Sequence, residues 1–335
     1  MKILVIGGTG FIGPYVVRRL AEQGHQVAVF HRGQSKIDIP AEHILGDRSA
    51  IPKVKADVVI DLILSSGKQA RGLMNTFRGV AGRVVAASSC DVYRACGILH
   101  GSEQGPLEPV PLTEDSPLRT KAQTYPPQQM EAVRKFYPWV DDEYDKIPVE
   151  RAILSDAELP GTICRLPMVY GPGDPARRFF PMLRRIADSR RAILFEQGTS
   201  AWKAPRGFVE NVADAIVLVA TDDRAMGRVY NIAESPAYTE LEWARKIAAA
   251  AGWRGNFMVL PKDRTPKHLI MPGNTAQHWE VDSTRIRTEL GYRERISTEE
   301  GIGRTVEWDL KNLPDAFPLY AIDYAAEDTT DVARV

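Results

Sequence analysis

Gly7-Gly8-Thr9-Gly10-Phe11-Ile12-Gly13 is the stretch whose reading decides the fold. It follows the apolar run 2–6 and opens a segment, 11–23, in which Ile12, Val16, Val17 and Leu20 recur at helical spacing. A glycine triplet alone is weak evidence, but a triplet between a strand and a helix reads as a phosphate-binding turn. Gly7 allows the tight turn, Gly10 lets the backbone approach a pyrophosphate, and Gly13 lets the helix pack on the sheet. The helix start, with Phe11 and Ile12, then offers free N–H groups and the positive end of its dipole to the phosphates. Pro14 is tolerated because the first helical turn has no internal N–H bond to lose.

Working outward, apolar strands are expected at 26–31, 44–46, 57–63 and 83–87, with a helical pattern of Ala70, Leu73, Met74 and Phe77 between the last two. Strands alternating with helices imply an α/β fold, a Rossmann doubly wound parallel sheet with helices on both faces. From 94 to 140 the regularity fails, and this Gly-, Pro- and Gln-rich stretch reads as an insertion, either a mobile surface loop or a functional lid. Order returns with a helix at 148–154 and a strand at 161–166, then helices at 179–186 and 210–220. Thr239 with Glu242 and Ser297 with Glu300 form capping-box patterns, and Gly252 stands where the first of these helices should stop. The expected division is a dinucleotide-binding domain over 1–170, carrying the insertion, and a smaller C-terminal substrate lobe over 171–319, some of which returns to the first domain. Residues 320–335 are polar, acidic and aperiodic, and read as a loose tail.

The chain has 335 residues with 43 basic and 43 acidic side chains, a balance that disfavours bulk nucleic acid or an anionic membrane as partner. No apolar run is long enough to span a bilayer, and the apolar start reads as a first strand rather than a signal peptide. Cys90, Cys96 and Cys164 form no CxxC pair, so neither a disulfide framework nor a zinc site is expected, and a reducing, cytoplasmic compartment is. The six histidines show no ligand spacing, so no metal is expected.

The end of the second strand bears on the cofactor. An acidic residue there would bond the ribose hydroxyls of NAD, but the sequence is Phe30-His31-Arg32-Gly33, with Lys36 beyond. A guanidinium can pair bidentately with a 2′-phosphate, so NADP is expected over NAD, with His31 and Arg32 at the ribose. Asp47 and Arg48, after the third strand, are expected to border the adenine.

Further motifs follow in order: DVVIDL at 57–62, SSCDVY at 88–93, LTEDSPL at 112–118, RLPMVYGPGD at 165–174, RGFVENVADA at 206–215, YNIA at 230–233 and LGYRERISTEEGI at 290–302. With GGTGFIG at 7–13 they make most of the chain resemble the extended short-chain dehydrogenase/reductases, the NAD(P)-dependent epimerase/dehydratase family. The resemblance implies a seven-stranded sheet and an oxidoreductase, epimerase or dehydratase acting on a nucleotide-sugar or a related carbonyl or hydroxyl compound. A homodimer is compatible with it. It also leaves open a non-catalytic role in which the dinucleotide is structural or sensed, as in the RNA-binding chloroplast members of the superfamily.

That family's chemistry uses a Ser or Thr, a Tyr as acid or base, and a Lys that holds the nicotinamide ribose and lowers the Tyr pKa. Ser89 matches the first, and Lys146, followed four residues later by Glu150, matches the last. The position four before the Lys is Asp142, and the nearest tyrosine is Tyr144. On a helix, residues two apart face nearly opposite sides, but Pro148 biases Ile147 away from helix, and an extended 144–146 would put Tyr144 and Lys146 on one face. Tyr125 or Tyr137 are the alternatives. The resemblance further implies Leu64, Lys146 and Pro167 at the cofactor and Tyr93 and Arg206 at the substrate, with Arg206 on the diphosphate, while Arg177 and Arg178, opening a helix in the lobe, either meet an anionic substrate or form a solvated helix face. Trp202 either stacks a base or simply packs.

Overall fold

A computed structural model of the chain describes residues 1–34, 38–122 and 127–330. Its first half runs β1 (Lys2–Ile6), α1 (Gly13–Glu22), β2 (Gln26–His31), β3 (Glu42–Leu45), β4 (Ala56–Asp61), α2 (Gly67–Phe77), β5 (Ala81–Ser89), α3 (Arg94–Leu99), α4 (Pro127–Phe136), α5 (Lys146–Leu154) and β6 (Gly161–Leu166). Then come β7 (Met168–Tyr170), α6 (Phe180–Ala187), β8 (Ala192–Glu196), α7 (Gln197–Ala201), β9 (Arg206–Phe208), α8 (Val209–Thr221) and β10 (Val229–Asn231). The chain ends with α9 (Glu240–Ala250), β11 (Asn256–Leu260), α10 (Thr284–Leu290), α11 (Thr298–Lys311) and α12 (Tyr324–Asp328).

Seven strands form a parallel sheet in the order β10-β6-β5-β4-β1-β2-β3. The near-continuous Val and Ile runs of β1, β4 and β5 suit strands covered on both faces. On one face Val16, Val17 and Leu20 of α1 join Val212, Ile216 and Val219 of α8. On the other, Ala70, Leu73, Met74 and Phe77 of α2 join Val149 and Ile153 of α5. The chain winds outward from β1 to β3 on one side and from β4 to β10 on the other, so the strand order reverses between β1 and β4. A crevice opens beyond the carboxyl ends of strands at such a point. Two small parallel pairs, β7 with β9 and β8 with β11, belong to the lobe beside it.

Two expectations are corrected. The insertion at 94–140 is not without structure: it carries α3 and α4, and its polar residues serve as ligands to its own backbone. Glu103 accepts from the Thr120 and Lys121 N–H groups at 2.6 and 3.0 Å, and Leu112 N donates to Glu280 O at 2.8 Å. The tail is not loose as far as residue 330. Glu327 of α12 is 3% exposed and pairs with Arg185 and, at 3.0 Å, with His268. The Glu327 carboxylate is the counterion of the buried Arg185, which a hydropathy pattern does not reveal.

Candidate active site at the open end of the sheet

The glycine turn divides by use. Gly7 has φ +82°, and a Cβ there would lie 2.7 Å from Ile63 Cγ2. A Cβ on Gly13 would lie 2.4 Å from the Gly8 carbonyl carbon, so this glycine lets α1 start against its own turn. A Cβ on Gly10 would meet only Gly7 O, at 3.5 Å. Two glycines therefore serve packing and the third faces space, which is the cradle a pyrophosphate needs. Ile12 is the N-cap of α1 and supplies no side-chain bond; Pro14 has no N–H and Tyr15 N donates to Ile12 O at 3.2 Å, so it is the N–H groups before Pro14 that are placed for an anion.

At the end of β2, His31 Nε2 lies 2.9 Å from His43 Nδ1, and Gly33 N donates to His31 Nδ1 at 3.2 Å. Burial and then the neighbouring His43 lower the His31 pKa. Arg32 is exposed, and Lys36 lies outside the described residues. Asp47 caps the turn at Arg48–Ala50 by accepting from Ser49 N at 2.9 Å. Arg48 grips Asp61, the last residue of β4, through two bonds of 3.1 and 2.7 Å. It is thus held at the end of β4, a pairing the sequence reading did not contain.

The catalytic candidates meet at the ends of β4 and β5. Lys146 is the first residue of α5 and is buried, its Nζ donating to Leu64 O and, at 3.1 Å, to Ala87 O. Burial lowers its pKa to about 8. The ammonium lies 5.1 Å from the centroid of the Trp139 ring and 5.8 Å from that of Tyr144. Asp145 between them is extended, with φ −161° and ψ 124°, so Tyr144 and Lys146 do converge. The expectation for Ile147 is corrected: it is helical although Pro148 follows, because Pro148 stands at the third helical position, where an N–H has no internal partner. Asp142 is exposed and pairs with Arg134 at 3.1 Å. Tyr125 lies outside the described residues, and Tyr137 packs 6.1 Å from Trp139, centroid to centroid.

Ser89 and Tyr144 are not bonded to each other. Ser89 Oγ accepts from Asp91 N at 3.1 Å, while the Tyr144 hydroxyl donates to Asp91 Oδ2 at 2.8 Å. Burial, then the charge and hydrogen bond of Asp91, push the Tyr144 pKa well above its usual value. Asp91 is 1% exposed and burial raises its pKa, against the opposing charge of Arg119. Arg119 binds Asp91 O through Nε at 2.6 Å and Asp145 Oδ1 through Nη2 at 3.1 Å. Sequence reasoning missed Asp91, Arg119 and Trp139. The first stands inside the SSCDVY motif, and the other two lie in the insertion.

Two expected substrate residues are placed elsewhere. Tyr93 is 0% exposed, donating to Asn231 Oδ1 at 2.6 Å and accepting from Arg165 Nη1 at 2.9 Å, within a buried network that includes Glu150. Arg177 bonds Asn312 O at 2.8 Å and packs over Trp308 of α11. Its neighbour Arg178 instead lines a cavity of about 420 Å³ in the lobe, together with Arg206 and Trp202. Trp202 donates to Gln277 O at 2.9 Å. Arg206 pairs with Glu240 and stacks on Trp243 at 5.0 Å. Pro167, half-buried at the end of β6, lies against Gly207. Among the described residues no cluster of His, Cys, Asp and Glu could hold a metal ion, and no helix is long and apolar enough to cross a membrane.

The family model described as NAD dependent epimerase/dehydratase matches residues 3–233. A dTDP-glucose 4,6-dehydratase of Streptomyces niveus is 30% identical over 49% of this chain and 46% of its own length. A 2-alkyl-3-oxoalkanoate reductase of Stenotrophomonas maltophilia is 26% identical over 75% of this chain and 76% of its own. The solved structure of MoeE5 in complex with UDP-glucuronic acid and NAD superposes with a TM-score of 0.67 at 22% identity, covering 93% of this chain and all of that one.

Proposed function

This chain belongs to the NAD dependent epimerase/dehydratase family, and from that premise we propose that it is an enzyme using NAD or NADP for hydride and proton transfer at a substrate hydroxyl or carbonyl. The observation that carries the reading is the convergence of Tyr144, Lys146 and Asp91 beside the open glycine turn. The turn at 7–13 suits the pyrophosphate, since Gly10 alone of its four glycines faces free space. When bound, the dinucleotide supplies a hydride acceptor or donor.

The protein's own part is positioning and proton transfer. Lys146 carries three donors as an ammonium, and two are engaged by the carbonyls of Leu64 and Ala87. The third is left for the nicotinamide ribose. Tyr144 stands as a phenol, able to give its proton to a substrate oxygen, and Asp91 is placed to accept that proton when the flow reverses. Ser89, at the tip of β5, is the hydroxyl that would bond the reacting oxygen. Relatives of this chain include a dTDP-glucose 4,6-dehydratase and a 2-alkyl-3-oxoalkanoate reductase, so both kinds of substrate are carried forward.

Titration of the purified protein with NAD⁺ and NADP⁺ tests the reading, and absence of binding to either overturns it. Arg32, exposed just after β2 with Asp47 as its charged neighbour, is a guanidinium where an acid would suit NAD, and favours NADP. Arg32→Asp should then move the preference toward NAD by about 1.4 kcal/mol, a tenfold ratio. Tighter NAD than NADP in the unaltered protein refutes that choice.

A further inference from the structure

Two pieces of chain that are far apart in sequence surround the Lys146 ammonium. The turn after β4 brings the Leu64 carbonyl that accepts from it. The stretch leading into α5 brings the Trp139 ring and Tyr144. Asp141, which lies between those two aromatic residues, ties the pieces together. Its carboxylate accepts from Ser65 Oγ at 3.1 Å, from Ser66 Oγ at 2.7 Å and from Gln69 Nε2 at 3.0 Å. Its own N–H donates to Ser65 Oγ at 2.9 Å.

The surrounding bonds tighten the same joint. Gln69 Oε1 accepts from Ser65 N at 2.9 Å, and Asp145 N donates to Ser65 O at 3.1 Å. Asp141 Oδ1 also accepts from Glu143 N at 3.1 Å, which bends the chain just before Tyr144. Capping α2 does not require this carboxylate, because Ser66 already stands at the N-cap and accepts from Gln69 N at 3.5 Å. Ser65 and Ser66 are buried, so their bonds to Asp141 are made where water does not compete. Hydrogen bonds to an ionised acceptor are the strong ones, and here they hold the 64–66 turn against the 139–145 stretch.

We infer that Asp141 is a positioning residue for dinucleotide binding: it locks the turn carrying Leu64 O to the stretch carrying Trp139 and Tyr144, and through them sets where the Lys146 ammonium stands. The inference rests on the role proposed above for Lys146 at the nicotinamide ribose. A binding group is only as well placed as the residues that hold it. With the clamp gone, the Leu64 carbonyl and the aromatic rings can separate, and the donor that Lys146 keeps for the ribose loses its fixed direction.

The test is a double-substitution cycle on the full chain, read by calorimetric titration with NAD⁺ and NADP⁺. Asp141→Ala should weaken the tighter of the two about tenfold in the otherwise unaltered protein. In a Lys146→Met background the same substitution should change affinity by less than about twofold, because the group through which it acts is gone. Ser65→Ala breaks the clamp from the turn's side without removing a charge, and should show the same pattern at about threefold. It decides the matter should Asp141→Ala fail to fold. A clamp that serves stability alone would lower the denaturation midpoint and leave affinity unchanged, which overturns the inference. An equal loss of affinity in both backgrounds overturns it as well. Failure of the proposed function shows separately, as no binding of either dinucleotide by the unaltered chain, and takes this inference with it.

Discussion

α1 and α5 both begin at the carboxyl edge of the sheet, and the chain treats the two beginnings differently. α1 starts on Ile12, which offers no side-chain cap, behind a turn whose Gly10 faces open space. α5 starts on Asp145, whose carboxylate accepts from Ile147 N at 3.0 Å and is braced by Arg119. A helix end left uncapped keeps its donors for a ligand, whereas a capped end directs them inward and becomes a rigid mount. The first helix start is a binding device. The second is a positioning device, which sets Tyr144 just before the cap and Lys146 just after it.

The difference can be broken at either end. The largest expected effect is at the mount: Tyr144→Phe should cut turnover by roughly 10²–10⁴, the worth of a general acid–base group, and leave dinucleotide affinity nearly unchanged. An active Tyr144→Phe variant would remove the phenol from the mechanism. At the binding device, Gly10→Val should weaken the dinucleotide by at least about 100-fold, ~2.7 kcal/mol, with a melting temperature close to that of the unaltered protein. Unchanged affinity in that folded variant would relocate the site.

A smaller effect separates the two ends by pH. At the α1 start the titrating side chain is Tyr15, whose pKa burial raises above its usual value, while Lys146 has its pKa lowered to about 8 by burial. If only the ammonium form supports binding, dinucleotide affinity should fall by up to about tenfold from pH 7 to pH 9 as the proton leaves. Lys146→Met should bind more weakly at pH 7 and lose that pH dependence, as calorimetric titration would show. The smallest effect concerns the cap itself: Asp145→Ala should cost about 1 kcal/mol, the usual worth of an N-cap, seen as a lower denaturation midpoint. A variant as stable as the parent would mean that Arg119 and Asp145 brace nothing.

The same contrast explains what could be read from sequence. The α1 start follows local rules, since glycine spacing, a preceding apolar strand and a helical stripe act within a dozen residues of one another. The sheet and both of its helical faces were legible for that reason. The α5 start depends on contacts from far along the chain: Arg119 and Trp139 come from the insertion, and the carbonyls that hold Lys146 come from Leu64 and Ala87. Pro148 suggested an extended Ile147, but a proline at the third helical position has no bond to break. Tyr93 was assigned by motif position and Arg177 by its charge at a helix start, and neither says that Asn231 and Asn312 claim their polar atoms. The acidic tail read as loose because composition does not disclose a buried Arg185 waiting for Glu327.

The edge strand β10 has a bearing on how the molecule is made. It spans Val229–Asn231 and pairs with β6, although β7 to β9 and α6 to α8 all lie between them in the chain. A ribosome must therefore release everything from β7 to α8 after β6 before the sheet can acquire this strand. The glycine turn is synthesised well before β10, and the sheet it caps lacks that edge strand until the intervening lobe elements have been made. Nascent chains stalled short of β10 should be the most exposed to mispairing and to chaperone capture.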